Sequence, residues 1–110
     1  MKIALALVVT CLLVPAVHAS PTTFACHPTE VAAFDNRIHV LCNPTAGAIG
    51  FFAVSTANTA KADRFRELAT AAIVHDKVLV IFFDSFDLSG GTFGCNNANC
   101  RNATGILLRK

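Results

Sequence analysis

Among the residues in this 110-residue chain that could do chemistry are five cysteines. Cys11 lies within an apolar leader, and Cys26, Cys42, Cys95 and Cys100 follow it. An even set of cysteines in a small exported chain reads as two disulfides, with three connectivities open. The sequence-local pairing, Cys26–Cys42 with Cys95–Cys100, is favoured. Zinc is the rival, but the Cys-x4-Cys spacing has no matching second pair. Paired cysteines leave no thiolate for nucleophilic work.

The histidines beyond the leader are His27, His39 and His75. A nucleophile needs a base within hydrogen-bond reach and a group to orient that base. None of the three sits in such a pattern, and the chain has no Gly-x-Ser-x-Gly elbow, His-Glu-x-x-His pair or phosphate loop. A non-enzyme is expected, with no catalytic residue and no cofactor. Asp84, Asp87 and Ser89 could offer oxygens to calcium, but their spacing is not that of an EF-hand. No metal is expected, since charged residues commonly solvate a loop. His27 and His39 could flank each other across a first hairpin, although a plain surface pair is the simpler reading. His75 is expected to end a helix, where a partial positive charge is favoured.

The leader sets the compartment. Lys2 precedes the apolar run Ile3–Val14, Pro15 breaks it, and Val17-His18-Ala19 offers small residues to a signal peptidase. Residues 1–19 read as a signal peptide, too short in the apolar part to span a bilayer. Residues 20–110 read as one domain, secreted or periplasmic. Lipidation at Cys11 is the weaker alternative, because Thr10 is large for that position and the apolar run continues past it. Beyond residue 19, eight Lys and Arg face seven Asp and Glu. That balance gives no case for nucleic acid. No second apolar run is long enough for a membrane span.

The elements that must position these residues are mostly strands. Ser20–Ala25 reads as a loosely held arm and Thr29–Phe34 as a strand. Asp35-Asn36 is a turn signal, since both side chains tolerate positive φ. Arg37–Cys42 alternates, with Ile38, Val40 and Cys42 on one face and Arg37, His39 and Leu41 on the other. Asn43–Gly47 reads as a turn and Ile49–Ser55 as a third strand. Ala60–His75 changes period, placing Ala62, Phe65, Leu68, Ala69, Ala72 and Ile73 on one stripe. Asn58 or Thr59 can cap its start, Asp63 suits the helix dipole, and Arg64 can pair with Glu67. Lys77–Asp84 is a fourth strand, apolar on both faces. A long loop, Ser85–Asn102, carries the Cys95–Cys100 staple, and Ala103–Arg109 is a fifth strand.

The order strand-strand-strand-helix-strand-strand is that of the OB-fold, a five-stranded barrel whose helix plugs one end. The expected class is mainly β with one helix, as an OB-like barrel. An open α+β sandwich is the alternative. The stretch Phe51-Phe52-Ala53-Val54-Ser55, the helical Phe65-Arg66-Glu67-Leu68, the strand Val78–Ile81 and the pair Cys95-x4-Cys100 resemble the B subunits of pertussis-like and subtilase cytotoxins. The resemblance covers roughly the last sixty residues. It implies an exported OB-fold that binds cell-surface glycans and assembles into rings. It carries no glycan-contacting residue over to this chain.

OB-folds bind ligands on the face of strands two and three and the flanking loops. Mapped onto this sequence, that surface includes Arg37, His39, Phe52 and the loop from Asp84 to Asn99, with Arg37, His39, Phe52, Asp84 and Asp87 as the candidate ligand-binding residues. Arg37 can fork onto a carboxylate such as that of a sialic acid. The chain has neither Trp nor Tyr, so only Phe could stack on a sugar ring. The expected partner is a glycan or a protein. The alternative role is a small envelope protein acting through protein–protein contact, as an inhibitor or accessory factor. Apolar Phe82-Phe83, with Phe86 and Phe93, has two readings. Either a second copy covers it in a homo-oligomer, or the long loop folds back over strand four.

Overall fold

The computed structural model describes residues 22–110. The predicted signal peptide and the lipidation alternative at Cys11 lie outside them. The chain runs β1 (Thr22–Cys26), β2 (Pro28–Ala33), β3 (Arg37–Ala46), β4 (Ile49–Ser55), α1 (Thr59–Val74), β5 (Val78–Phe83), a 3-10 turn at Ser89–Phe93, and β6 (Cys100–Arg109). The class is mainly β with one helix, as the periodicities predict. The strands form one mixed sheet in the order β1-β5-β6-β4-β3-β2. All neighbours are antiparallel except β4 and β6, which pair in parallel at Phe51↔Cys100, Phe52↔Arg101 and Ala53↔Asn102.

Two expectations are corrected. The sheet has six strands and is not closed into a five-stranded barrel, because its outer strands β1 and β2 do not pair with each other. The extra strand is β1, read from sequence as a loose arm. Thr22–Cys26 pairs along its whole length with β5, from Thr22↔Phe83 to Cys26↔Leu79. Apolar β5 needs cover on both edges as well as both faces, and the arm supplies the second edge. Only His27 separates β1 from β2, so the chain passes from one end of the sheet to the other across a single residue.

The hairpins follow local chemistry, with adjustments. The β2–β3 turn closes through the Phe34 amide donating to the Arg37 carbonyl at 2.7 Å. Neither Asp35 nor Asn36 takes positive φ there. Strand β3 continues through Asn43-Pro44, joined by a cis peptide bond, and ends at Ala46. The turn falls on Gly47, whose φ of 59° suits a residue without Cβ. The disulfides are the sequence-local pair: Cys26–Cys42 and Cys95–Cys100. The first ties the end of β1 to β3.

Helix α1 starts at an Asn58 cap, whose side-chain oxygen accepts from the Lys61 amide at 3.1 Å. It stops at His75, followed by Asp76 with φ 51°, a left-handed residue that ends the helical path. Ala62, Phe65, Ala69 and Ala72 are buried as the stripe predicts, but Ile73 is exposed. The ion pair on the helix is Arg66–Asp63 at 3.6 Å, and Arg64 instead donates its Nε to the Ala60 carbonyl. Asp63 lies beyond the first turn.

Phe52 is the centre of the main core. It is fully buried, with ring centroids 4.8 Å from Phe83 and 6.0 Å from Phe24, and Val40, Val54, Phe65, Leu79 and Ile81 are buried in the same cluster. A smaller cluster forms on the other face of β4, where Ala53 is sealed by the Cys95–Cys100 disulfide with Phe51 and Phe93 beside it. This second cluster fixes the long loop against the sheet and creates the edge of a cleft.

Candidate functional site

Cross-strand pairing decides which side chains share the outer face. Arg37 pairs with Ser55, His39 with Ala53 and Leu41 with Phe51. Directly opposed residues project to the same side of a sheet. His39 and Phe51 therefore stand together, and Phe52 points the other way into the core. Of the candidate ligand residues, the structure brings Arg37 and His39 into one cleft and places Phe52 beneath it. Asp84 and Asp87 lie in the loop and are engaged locally. The Asp84 carboxylate accepts from the Phe86 amide and the Asp87 carboxylate from the Ser89 amide, both at 2.9 Å. Bonds from Ser89 hold the Asp87 carboxyl below its ordinary range. Among the described residues, no group of three His, Cys, Asp or Glu side chains is arranged to hold a metal. His27 does not face His39. It lies between β1 and β2, and its carbonyl accepts from the Asn43 amide at 3.1 Å.

The cleft has a volume of about 190 Å³ and is walled by Arg37, His39 and Phe51 on the sheet and by Gly94, Asn96 and Asn99 on the loop. His39 is the unusual member. Its side chain is 12% exposed, and its Nε2 is buried with no hydrogen-bond partner. The Glu30 carboxylate lies 3.6 Å away, too far for a hydrogen bond. The imidazole sits between two aromatic rings, with centroids 5.1 Å from Phe34 and 4.9 Å from Phe51. Burial, followed by the Arg37 charge, pushes the His39 pKa below its ordinary value, and Glu30 offsets only part of this. The neutral form of the ring is therefore favoured, and its buried Nε2 lies on the Glu30 side of β3 without a hydrogen-bond partner.

Arg37 is held in place by two contacts. Its guanidinium carbon lies 4.2 Å from the Phe34 ring centroid, and its Nη1 donates to Asn36 Oδ1 at 3.0 Å. No acidic side chain pairs with it among the described residues. Gly94 makes this position possible. A Cβ there would lie 2.7 Å from Arg37 Nη1, and its φ of 91° is left-handed.

The loop wall is fixed by the backbone. The Asn99 carbonyl accepts from the Gly50 and Phe51 amides, both at 3.0 Å, docking the loop onto β4. Asn96 Oδ1 accepts from the Ala98 amide, which leaves the Asn96 NH2 as a free donor type at the cleft rim. Arg101 braces the loop from behind, its Nε donating to the Ser85 carbonyl and its Nη1 to the Asn97 and Cys100 carbonyls at 2.6 to 2.8 Å. Gly90 lets the 3-10 turn approach the disulfide, since a Cβ there would lie 2.9 Å from Cys95 Cβ.

Together these groups line the cleft with a cation, two amides and the aromatic surfaces of Phe51 and His39. Sequence reasoning missed Phe51, and it pointed to the loop that holds Gly94, Asn96 and Asn99 without singling those residues out. No local signal gave Phe51: the register with β3 shifts between Leu41 and Ala46, so the Gly47 turn does not carry its parity along β4. No protein-family model matches the chain, and no curated protein or solved structure matches it either.

Proposed function

We propose that this chain is an exported, non-catalytic binding protein whose cleft takes the acidic terminal sugar of a glycan. The observation that carries the reading is Arg37, a guanidinium on the cleft wall with no acidic partner among the described residues. Arg37 would take the carboxylate with a forked pair of bonds, the Asn96 amide would add a donor, and Phe51 would pack on the ring. Drug-sized ligands occupy roughly 300–1,000 Å³, so a cleft of about 190 Å³ suits one terminal residue.

An OB-like organisation agrees with this assignment. Strands β1 and β2, separated only by His27, act as one bent strand touching both ends of the sheet, and the Cys26–Cys42 bridge holds the bend. A partly open Greek-key barrel is built in this way, and its ligand face is formed by the strands that here are β3 and β4. The proposed kinship with toxin B subunits rests on the same correspondence.

Calorimetry with sialyllactose and lactose tests the ligand class. The expected result is binding of the acidic sugar alone, lost in Arg37→Gln. Absence of binding to sialylated or uronic-acid glycans would overturn the reading. A second reading, protein–protein contact, is favoured by the loop after β5. Phe86 is 81% exposed and Leu88 49% exposed, and the two Asx turns at Asp84 and Asp87 hold the loop around them. Phe93 packs against the disulfide, so only part of the loop folds back. Light scattering tests self-association through these residues, with Phe86→Ser expected to return any oligomer to monomer.

A further inference from the structure

A second recess lies on the opposite side of the sheet, where β4 and β6 part. Their parallel pairing ends at Ala53↔Asn102, although β6 runs on to Arg109 alongside β5. Beyond that point the β4-facing edge of β6 has no strand partner, and α1 lies across the gap. The result is a groove of about 240 Å³. Its walls are apolar, formed by Val54, Phe65, Leu68 and Ile106, with the bare Gly105 backbone between them and β5. The polar group on the strand side, the Thr104 hydroxyl, is already engaged with the Phe82 carbonyl at 3.1 Å.

Lys61 and Arg64 also line the groove, both from the first half of α1. No carboxylate lines it. The nearest acidic neighbour in sequence, Asp63, is paired with Arg66. Neither Lys61 nor Arg64 has an acidic partner among the described residues. An apolar slot with two unneutralised cations at its rim is complementary to a molecule that is apolar along its length and anionic at one end. We propose that this groove is a binding site for a single-chain aliphatic carboxylate, with the chain laid between α1 and β6 and the headgroup between Lys61 and Arg64. This site is separate from the His39 cleft and does not depend on the glycan reading.

The test uses the mature protein with hexanoate, octanoate and decanoate, read by calorimetry and by methyl resonances of Val54, Leu68 and Ile106. Each added methylene is expected to tighten binding about fourfold while the chain still enters the groove. The double variant Lys61→Gln/Arg64→Gln, checked for folding by circular dichroism, is expected to weaken decanoate binding by about tenfold. The same variant leaves 1-octanol binding unchanged, because that molecule brings no charge. His39→Phe is expected to bind decanoate as the native protein does. Affinity independent of chain length, equal affinity in the double variant, or shifts confined to residues outside the groove would each overturn the proposal. So would binding to phosphatidylglycerol vesicles with no response to free decanoate.

Discussion

Replacing His39 with phenylalanine is expected to make the protein more stable and less able to bind. The imidazole lies between Phe34 and Phe51, with Nε2 buried and unpartnered. Leaving such an atom unsatisfied costs about 1–3 kcal/mol. The Glu30 carboxylate at 3.6 Å recovers part of that, which puts the releasable amount near the lower end, about 1 kcal/mol. A benzene ring in the same place keeps both aromatic contacts and removes the stranded nitrogen. Its extra volume is tolerated because the side chain opens on the cleft rather than on the core. For a domain of this size about 1 kcal/mol corresponds to a rise of roughly 4–8 °C in Tm. Thermal unfolding followed by circular dichroism at pH 7.5 measures it, with His39→Gln as the control that keeps a polar group and gains nothing. Calorimetry with sialyllactose should show weaker binding in the more stable variant, because the larger ring narrows the His39 wall of the cleft. A His39→Phe protein that melts below the native one would refute the reasoning, because Nε2 would then have a mate in the folded state.

Further outcomes follow from the same geometry. His39 favours its neutral form when folded, so the unfolded chain binds the extra proton first as pH falls below about 6.5. Stability is therefore full above that value, declines as pH drops toward the lowered folded pKa, and levels off beneath it. Urea unfolding across pH 5–8 should show this decline in the native protein and not in His39→Gln. An anionic ligand stabilises the imidazolium, so sialyllactose affinity should rise over the same interval, which calorimetry at several pH values measures. Gly94→Ala forces a Cβ to within 2.7 Å of Arg37 Nη1 at a left-handed φ. It is expected to cost about 1 kcal/mol or more in urea unfolding, and to weaken the acidic sugar more than the aliphatic carboxylate. Removing Cys26–Cys42, with sequence separation 16, is expected to cost roughly 3 kcal/mol, and removing Cys95–Cys100, with separation 5, roughly 2 kcal/mol. Only the second loss should also impair the cleft, as denaturant titration and calorimetry on the two double-alanine variants would show.

The parts of the fold written in periodicity were legible. The β3 alternation buries Ile38, Val40 and Cys42 as expected, Ile49–Ser55 is a strand at those residues, and the helix lies within two residues of its predicted bounds. Cysteine spacing gave the right connectivity because both loops are short. Long-range pairing was not legible. Nothing local marks Thr22–Cys26 as a strand, since its partner is β5, more than fifty residues away. The cleft was half visible. Arg37 and His39 declared themselves by sharing a face of an alternating strand. Phe51 was hidden by its neighbour, since two adjacent phenylalanines leave the parity of β4 undecided until its register with β3 is known. Asn96 and Asn99 were hidden by the loop, whose position depends on the disulfide packed against Ala53.

The route of the chain across His27 bears on how this protein matures. Synthesis from the N-terminus presents Cys26 and Cys42 early, close together in sequence, while most of the polypeptide is still to come. Strand β1, Thr22–Cys26, cannot dock until Val78–Phe83 has emerged, so its lodging place is the last strand but one to be synthesised. Such non-local closure is slow relative to helix or hairpin formation. Until it happens, the most oily segment of the molecule has a naked flank, and a nascent copy is at its most vulnerable to sticking to another.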